Sequence, residues 1–232
     1  MTKFDDIRPY HDDEVKKVLQ ELLVDTDFLN FLGRYHSPRL SRYIPGVVRF
    51  FVRRFLKGQL GNVSSVREFQ QMISSYAKRI VETTMTEFVF KGIDSLQANE
   101  GYLFVGNHRD IAGDSMLVDY ALWLSDHDTV RIAVGDNLIQ RKFATDIMRL
   151  NKSFFIRRSE EGAKKVYAAL LQSSEYIHHS IEEKQSIWIA QSEGRAKDGL
   201  DNTDPAIVKM FALAKRKEPL ANTVASLNII PV

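Results

Sequence analysis

From Phe88 onward the chain alternates short apolar runs of strand type with patterns of helix length, and this alternation restricts its fold more than any other feature. The strand-type runs are Phe88 to Gly92, Tyr102 to Val105, Val130 to Val134, Ser153 to Arg157, Ile187 to Ala190 and Leu227 to Val232. Between most of them lie helical patterns, Ser115 to Leu124, Asp136 to Met148, Glu160 to Ile181 and Pro205 to Lys215, with Ser159 and Asp204-Pro205 as suitable helix starts. Strands and helices in such alternation predict an α/β domain over residues 88–232, its mainly parallel sheet covered by helices. The last run stops with the chain, and the expectation is that the domain continues beyond Val232.

Residues 1–87 read differently, as an N-terminal helical region without strand-helix alternation. Asp12-Asp13-Glu14 opens a helix carrying Val15, Val18, Leu19, Leu22 and Leu23, with its acids at the positive end. Phe28, Leu29, Phe31 and Leu32 begin a second apolar patch, with Gly33 as its expected stop. From Pro45 to Leu60, the residues Val48, Phe51, Val52, Phe55 and Leu56 fall on one helical face, while Arg49, Arg53, Arg54 and Lys57 lie largely elsewhere, and Gly58 is the expected end. A basic amphipathic helix with aromatics suits an anionic lipid surface; the competing expectation is that the face packs dry against the next helix. Ser65-Val66-Arg67-Glu68 has capping-box spacing, and the helix it opens carries a core stripe from Val66 to Val81.

Composition removes several function classes. A net charge of +2 over 232 residues argues against nucleic acid as a partner. The absence of cysteine excludes a thiol nucleophile, a disulfide framework and thiolate metal sites. The N-terminal residues lack the pattern of a secretory signal, and no apolar run approaches the roughly 18 residues of a membrane span. Any membrane contact is therefore expected at the surface, and the reading expects a cytoplasmic protein, peripheral on the cytoplasmic face of a membrane.

Three strand ends carry the residues suited to chemistry. After Tyr102 to Val105 the chain breaks at Gly106-Asn107 and presents His108, Asp110 and Asp114 before the next helix. A carboxylate that accepts one ring N–H fixes the imidazole tautomer and frees the other nitrogen to take a proton from a hydroxyl, which makes His108 a candidate general base. The same three side chains suit a metal, yet nothing else in the chain supplies a further ligand pair, so no metal is expected. The run ending Phe155-Ile156-Arg157-Arg158 puts two guanidinium forks at a strand end, where they match phosphate oxygens. After Ile187 to Ala190 comes Ser192-Glu193-Gly194-Arg195-Ala196-Lys197, in which a glycine admits a ligand close to the backbone and Arg195 and Lys197 bring positive charge.

At these residues the chain resembles the glycerolipid acyltransferases, the family of glycerol-3-phosphate and lysophosphatidate acyltransferases. Asn107-His108 matches the family's Asn-His pair, whose Asp follows after four residues; here five separate His108 from Asp114, so Asp114 and Asp110 both stand as its partner. Phe155-Ile156-Arg157-Arg158 is similar to the second motif, with Arg157 in place of an acid and Arg158 as the phosphate-binding residue. Glu193-Gly194 matches the third motif, Phe-Pro-Glu-Gly-x-Arg, with Ser192 where proline is usual and either Arg195 or Lys197 meeting the phosphate. A fourth, proline-containing apolar motif falls at Asn228 to Val232, with more chain after it in the family.

The resemblance covers a little over half of the chain. It implies transfer of a fatty acyl group from an acyl thioester, acyl-CoA or acyl-ACP as co-substrate, to a hydroxyl of glycerol-3-phosphate or a lysophospholipid, with no other cofactor. His108 with Asp114 or Asp110 forms the expected base, and Arg157, Arg158, Glu193, Gly194, Arg195 and Lys197 the expected acceptor site. An anionic membrane surface is a further expected partner. The competing readings are a non-catalytic phospholipid-binding adaptor and a thioester hydrolase using the same dyad.

Overall fold

The computed structural model describes residues 3–198 and 200–232. In chain order its helices and strands are α1 Asp12–Leu22, α2 Thr26–His36, α3 Pro38–Tyr43, α4 Pro45–Leu60, α5 Val66–Thr84, β1 Leu103–Gly106, α6 Gly113–Leu124, β2 Arg131–Gly135, α7 Lys142–Leu150, β3 Ser153–Ile156, α8 Ala163–Glu182, β4 Ile187–Ala190, α9 Pro205–Ala212, α10 Leu220–Ala225 and β5 Ile229–Pro231. They fall into two compact units. One comprises Pro9–Ile73 and Ile139–Lys152; the other comprises the chain through Arg8, Ser74–Leu138 and Ser153–Val232.

The first unit is helical. Asp25 caps α2 by accepting the Phe28 N–H at 2.8 Å, and the capping box at α5 forms as its spacing predicts: Ser65 Oγ accepts the Glu68 N–H at 3.2 Å and Glu68 Oε2 the Ser65 N–H at 3.1 Å. Val15, Val18, Leu19 and Leu22 of α1 bury their stripe with Phe28, Phe69, Phe143 and Leu150. Each such side chain stabilises the unit by about 1.5–3 kcal/mol relative to exposure. Gly33 ends nothing. It sits inside α2 because a Cβ there would lie 2.9 Å from Val48 Cγ1 and 3.2 Å from Ser41 Oγ, so close packing outweighs its poor helix propensity. Gly58 likewise lies within α4, which runs on until Leu60 is buried in the core.

The stripe on α4 divides. Val48, Val52 and Leu56 are half-buried, while Phe51 and Phe55 are 62% and 59% exposed, beside the exposed Val47 and Phe50. Two residues of the expected face thus look outward instead of packing dry against α5.

The second unit is an α/β fold whose five strands run in the order β3-β2-β4-β1-β5, all parallel. Phe154, Phe155 and Ile156 of β3 are buried almost completely, as a strand covered on both faces requires. The free edge of β3 is met by the segment Phe4 to Ile7: Phe155 N–H donates to the Ile7 carbonyl at 3.0 Å, and Phe4 stacks on His179 of α8. β5 lies on the opposite edge, the position that tolerates its Pro231.

Several expectations need correction here. Phe88 to Gly92 forms no strand. Both sheet edges are elsewhere, and Phe88 instead packs on Tyr120, next to Ala77 and Val81 of α5, with Val89 exposed. Neither Asp136 nor Ser159 opens a long helix: α7 starts at Lys142 and α8 at Ala163, because the Asp136 carboxylate is spent on the N–H groups of Arg158 and Ser159. The short helices α3 and α10 carried too few periodic residues to be foreseen.

One polar cluster in the helical unit has measurable consequences. The Tyr10 hydroxyl donates to Asp146 Oδ1 at 2.7 Å, and Lys142 Nζ bridges Asp146 Oδ2 and Glu21 at 2.7 Å each. Burial, then the neighbouring Asp146 carboxylate, pushes the Tyr10 phenol up to about 12. Asp146 itself is 4% exposed, so removing it strands the Tyr10 hydroxyl and one side of Lys142. Asp146→Ala is expected to lower unfolding stability by about 2 kcal/mol, read from urea denaturation; a loss below a few tenths would show the cluster to be incidental.

Candidate active site

Because every strand is parallel, the segments after β1, β2, β3 and β4 leave from the same edge of the sheet, which is where α/β folds gather polar groups. The turn after β1 is built around one oxygen. Asp114 Oδ2, in the first turn of α6, accepts from His108 Nδ1 at 2.8 Å, the Arg109 N–H at 2.7 Å and the Asp110 N–H at 3.0 Å. A carboxylate accepts only, so the His108 proton in the neutral ring sits on Nδ1. Nε2 has no partner among the described residues and is free to accept a proton.

Asp110 does something else. Its Oδ1 accepts the Gly113 N–H at 2.6 Å and the Ala112 N–H at 3.0 Å, an Asx turn leading into α6. Those two N–H groups, with Arg195 and His108 adding positive charge, hold the Asp110 carboxyl below its usual range. Gly113 is required for the closeness of this turn: a Cβ there would meet Asp110 Oδ1 at 3.0 Å and its Cβ at 3.2 Å. The five residues between His108 and Asp114 thus contain a turn that Asp110 closes, with Asp114 on the imidazole.

The segment after β4 is tied to the same turn. Ala196 N–H donates to the His108 carbonyl at 2.6 Å, and Gln191 N–H to the Gly106 carbonyl at 2.9 Å. Gly194 has φ +76°, the left-handed region that favours glycine, and turns the segment between Glu193 and Arg195. Arg195 lies close enough to Asp110 to stabilise its charge. Glu193 reaches the third segment, with Arg158 Nη1 3.5 Å from its Oε1. Arg157 is not brought to this cluster: its guanidinium pairs with Asp6 of the edge segment. Lys197 is exposed and its side chain is joined to none of these groups.

Three residues of the arrangement were not singled out from the sequence. Asp136, following β2, accepts the Arg158 N–H at 3.1 Å and the Ser159 N–H at 3.2 Å; burial works to raise its carboxyl, and these donors outweigh it and lower it. It therefore fixes the backbone from which Arg158 projects. Gln191, 8% exposed, holds both ends of the following loop: its Nε2 donates to Asp201, its Oε1 accepts from Thr203 Oγ1 at 3.3 Å, and its carbonyl accepts the Asp204 N–H at 2.9 Å. Trp188 sets its ring edge-on to the His108 imidazole, centroids 5.9 Å apart. A carboxylate or amide directly after an apolar run was the available signal for Asp136 and Gln191; Trp188 carried none beyond strand burial.

A sequence profile described as Acyltransferase matches residues 87–232, which covers all four strand-end segments. The chain belongs to the acyltransferase family. No curated relative matches it. Among solved structures it is similar to the 1-acyl-sn-glycerophosphate (LPA) acyltransferase PlsC from Thermotoga maritima, at 15% identity and a TM-score of 0.46 over 82% of this chain and 68% of that one. It is also similar to chloroplast FtsY from Physcomitrella patens, at 13% identity and 0.29 over 95% and 70%. Likenesses this slight establish neither fold nor function. Family membership rests on the profile. The described residues contain no group of three or more His, Asp or Glu side chains able to hold a metal ion.

The geometry around Asp114 leads to a spectroscopic prediction for this chain. In its neutral form His108 should show a protonated Nδ1 and an unprotonated Nε2 by ¹⁵N NMR, and Asp114→Ala should abolish that preference. A wild-type ring protonated at Nε2 would mean that Asp114 does not set the tautomer.

Proposed function

We propose that this acyltransferase moves a fatty acyl group from an acyl thioester, carried on coenzyme A or acyl carrier protein, to a hydroxyl of glycerol-3-phosphate or a lysophospholipid. The observation that carries the reading is the 2.8 Å bond from His108 Nδ1 to Asp114 with Nε2 left open. Nε2 takes the proton of the acceptor hydroxyl as its oxygen attacks the thioester carbonyl, and Asp114 stabilises the imidazolium so formed. When the tetrahedral intermediate collapses, the carbon–sulfur bond breaks and the thiolate leaves with that proton. Arg158 holds the acceptor's phosphate with two charge-assisted hydrogen bonds, while Glu193, Gly194 and Arg195 border its glycerol portion. Asp110 serves as the turn's cap, and Arg157, engaged with Asp6, has a structural role.

A single assay tests this. Thiol release from acyl-CoA or acyl-ACP is expected only when glycerol-3-phosphate or lysophosphatidate is present; release without acceptor would make the protein a hydrolase, and no release from either donor with any acceptor would remove catalysis. In the same assay His108→Ala should lower kcat about a hundredfold or more. Arg158→Ala should raise the acceptor's KM about tenfold to a hundredfold with little effect on the donor's.

The substrates of such a reaction partition into bilayers, yet no helix among the described residues is long and apolar enough to cross one. The outward Phe51 and Phe55 of α4, flanked by exposed Arg53, Arg54 and Lys57, support contact with an anionic lipid surface, at about 1 kcal/mol per cation. Because both rings are exposed, replacing Phe51 and Phe55 by Ser should leave the melting temperature unchanged and abolish sedimentation with phosphatidylglycerol vesicles. Undiminished sedimentation would discharge α4 from membrane contact.

A further inference from the structure

Helices α2, α3 and α4 surround a concavity of about 680 Å³ within the helical unit, a size that suits one small ligand. Each helix contributes an arginine to it: Arg34 from α2, Arg42 from α3 and Arg49 from α4. Among the described residues no carboxylate lines it. Arg49 Nη1 donates to Asn30 Oδ1 at 3.1 Å, so a neutral acceptor orients this guanidinium without cancelling its charge. Arg34 and Arg42 make no ion pair among the described residues. Asp27 faces a neighbouring cleft of about 290 Å³, shared by Asn30 and Arg34 and lined also by Arg141.

Two further features mark the concavity as more than a gap between helices. Ser41 Oγ, on its lining, is buried without a hydrogen-bond partner. The absence of a side chain at Gly33 lets α2 approach α3 and α4 so closely that a Cβ would lie within 3.2 Å of both Ser41 Oγ and Val48 Cγ1. The remaining walls are apolar, formed by Leu29, Pro38, Pro45 and Val48. Three cations converging on one concavity repel one another until an anion enters, and guanidinium forks match the oxygens of phosphate in particular.

We propose that this concavity binds the phosphate group of an amphiphile, a phospholipid headgroup, at a site built from none of the residues that form the strand-end cluster. Arg34, Arg42 and Arg49 take the phosphate oxygens, and the apolar walls take the adjoining glycerol and the first acyl carbons. The exposed Leu40, Tyr43, Val47 and Phe50 on α3 and α4 supply apolar surface on the same helices for the rest of the lipid. The site is independent of the acyl-transfer reading, since it is defined by binding without turnover.

The test uses the full chain labelled with ¹⁵N, following the arginine Nε–H signals of Arg34, Arg42 and Arg49, assigned through Arg34→Gln, Arg42→Gln and Arg49→Gln. Dihexanoyl phosphatidic acid, kept below its micellar concentration, should shift all three signals saturably. Inorganic phosphate should shift them only weakly, and dihexanoyl phosphatidylcholine should need a concentration about tenfold higher or more. Arg34→Gln combined with Arg42→Gln, both exposed, should weaken phosphatidic acid binding about tenfold or more with an unchanged melting temperature. Equal affinity for inorganic phosphate would assign the site to the free anion and overturn the lipid. Equal affinity for phosphatidylcholine would overturn charge recognition, and unmoved signals with all three ligands would overturn the site. The wild-type titrations decide these outcomes whatever the variants do.

Discussion

One carboxylate oxygen organises the polar edge of this protein's sheet. Asp114 Oδ2 accepts the His108 ring and the backbone N–H groups of Arg109 and Asp110, so the turn after β1 is drawn around it. Three donors converge on that one oxygen, and the one from the ring fixes the orientation and tautomer of the imidazole. The His108 carbonyl, held in that turn, in turn receives the Ala196 N–H from the segment after β4. Position is thus passed from a side chain to a backbone, and from one strand end to another.

That transfer works because the sheet is entirely parallel. β1 and β4 are neighbours in register from Leu103 with Ile187 to Gly106 with Ala190, so their loops emerge side by side although they lie more than eighty residues apart in the chain. β2 sits between β4 and β3, which lets Asp136 hold the backbone of Arg158 while Arg158 reaches across to Glu193. Gln191 closes the loop that carries Glu193, Gly194 and Arg195, since its side chain and carbonyl bind residues ten to thirteen positions further on. A buried amide with each of these partners in place is costly to disturb.

The helical unit follows a different logic. Its core is an ordinary amphipathic assembly to which α4 gives Leu60 and, in part, Leu56, while Val48 and Val52 are half-buried and Phe51 and Phe55 stay outside. Removing two phenylalanines from water would have stabilised the unit by a few kcal/mol. Those two exposed rings and the three arginines lining the adjoining concavity are the observations that support the two proposed lipid contacts.

Periodicity and turn chemistry alone determined much of what is seen. Alternating apolar runs specified all five strands, since such runs between helical patterns have nowhere to lie but a covered parallel sheet. His108, Arg158 and Glu193 were legible because each follows such a run, and a polar residue at a strand end faces the common edge. Only the tertiary structure decided the rest. Asp110 and Asp114 are equivalent by composition, and which one meets the imidazole depended on the turn that Asp110 closes. Arg157 and Arg158 are adjacent and alike, but successive residues of an extended chain point opposite ways, and the Asp6 that captured Arg157 comes from the far end of the sequence. Phe88 to Gly92 had the composition of a strand and no strand beside it, because pairing is a property of the neighbour's backbone, which no local pattern encodes.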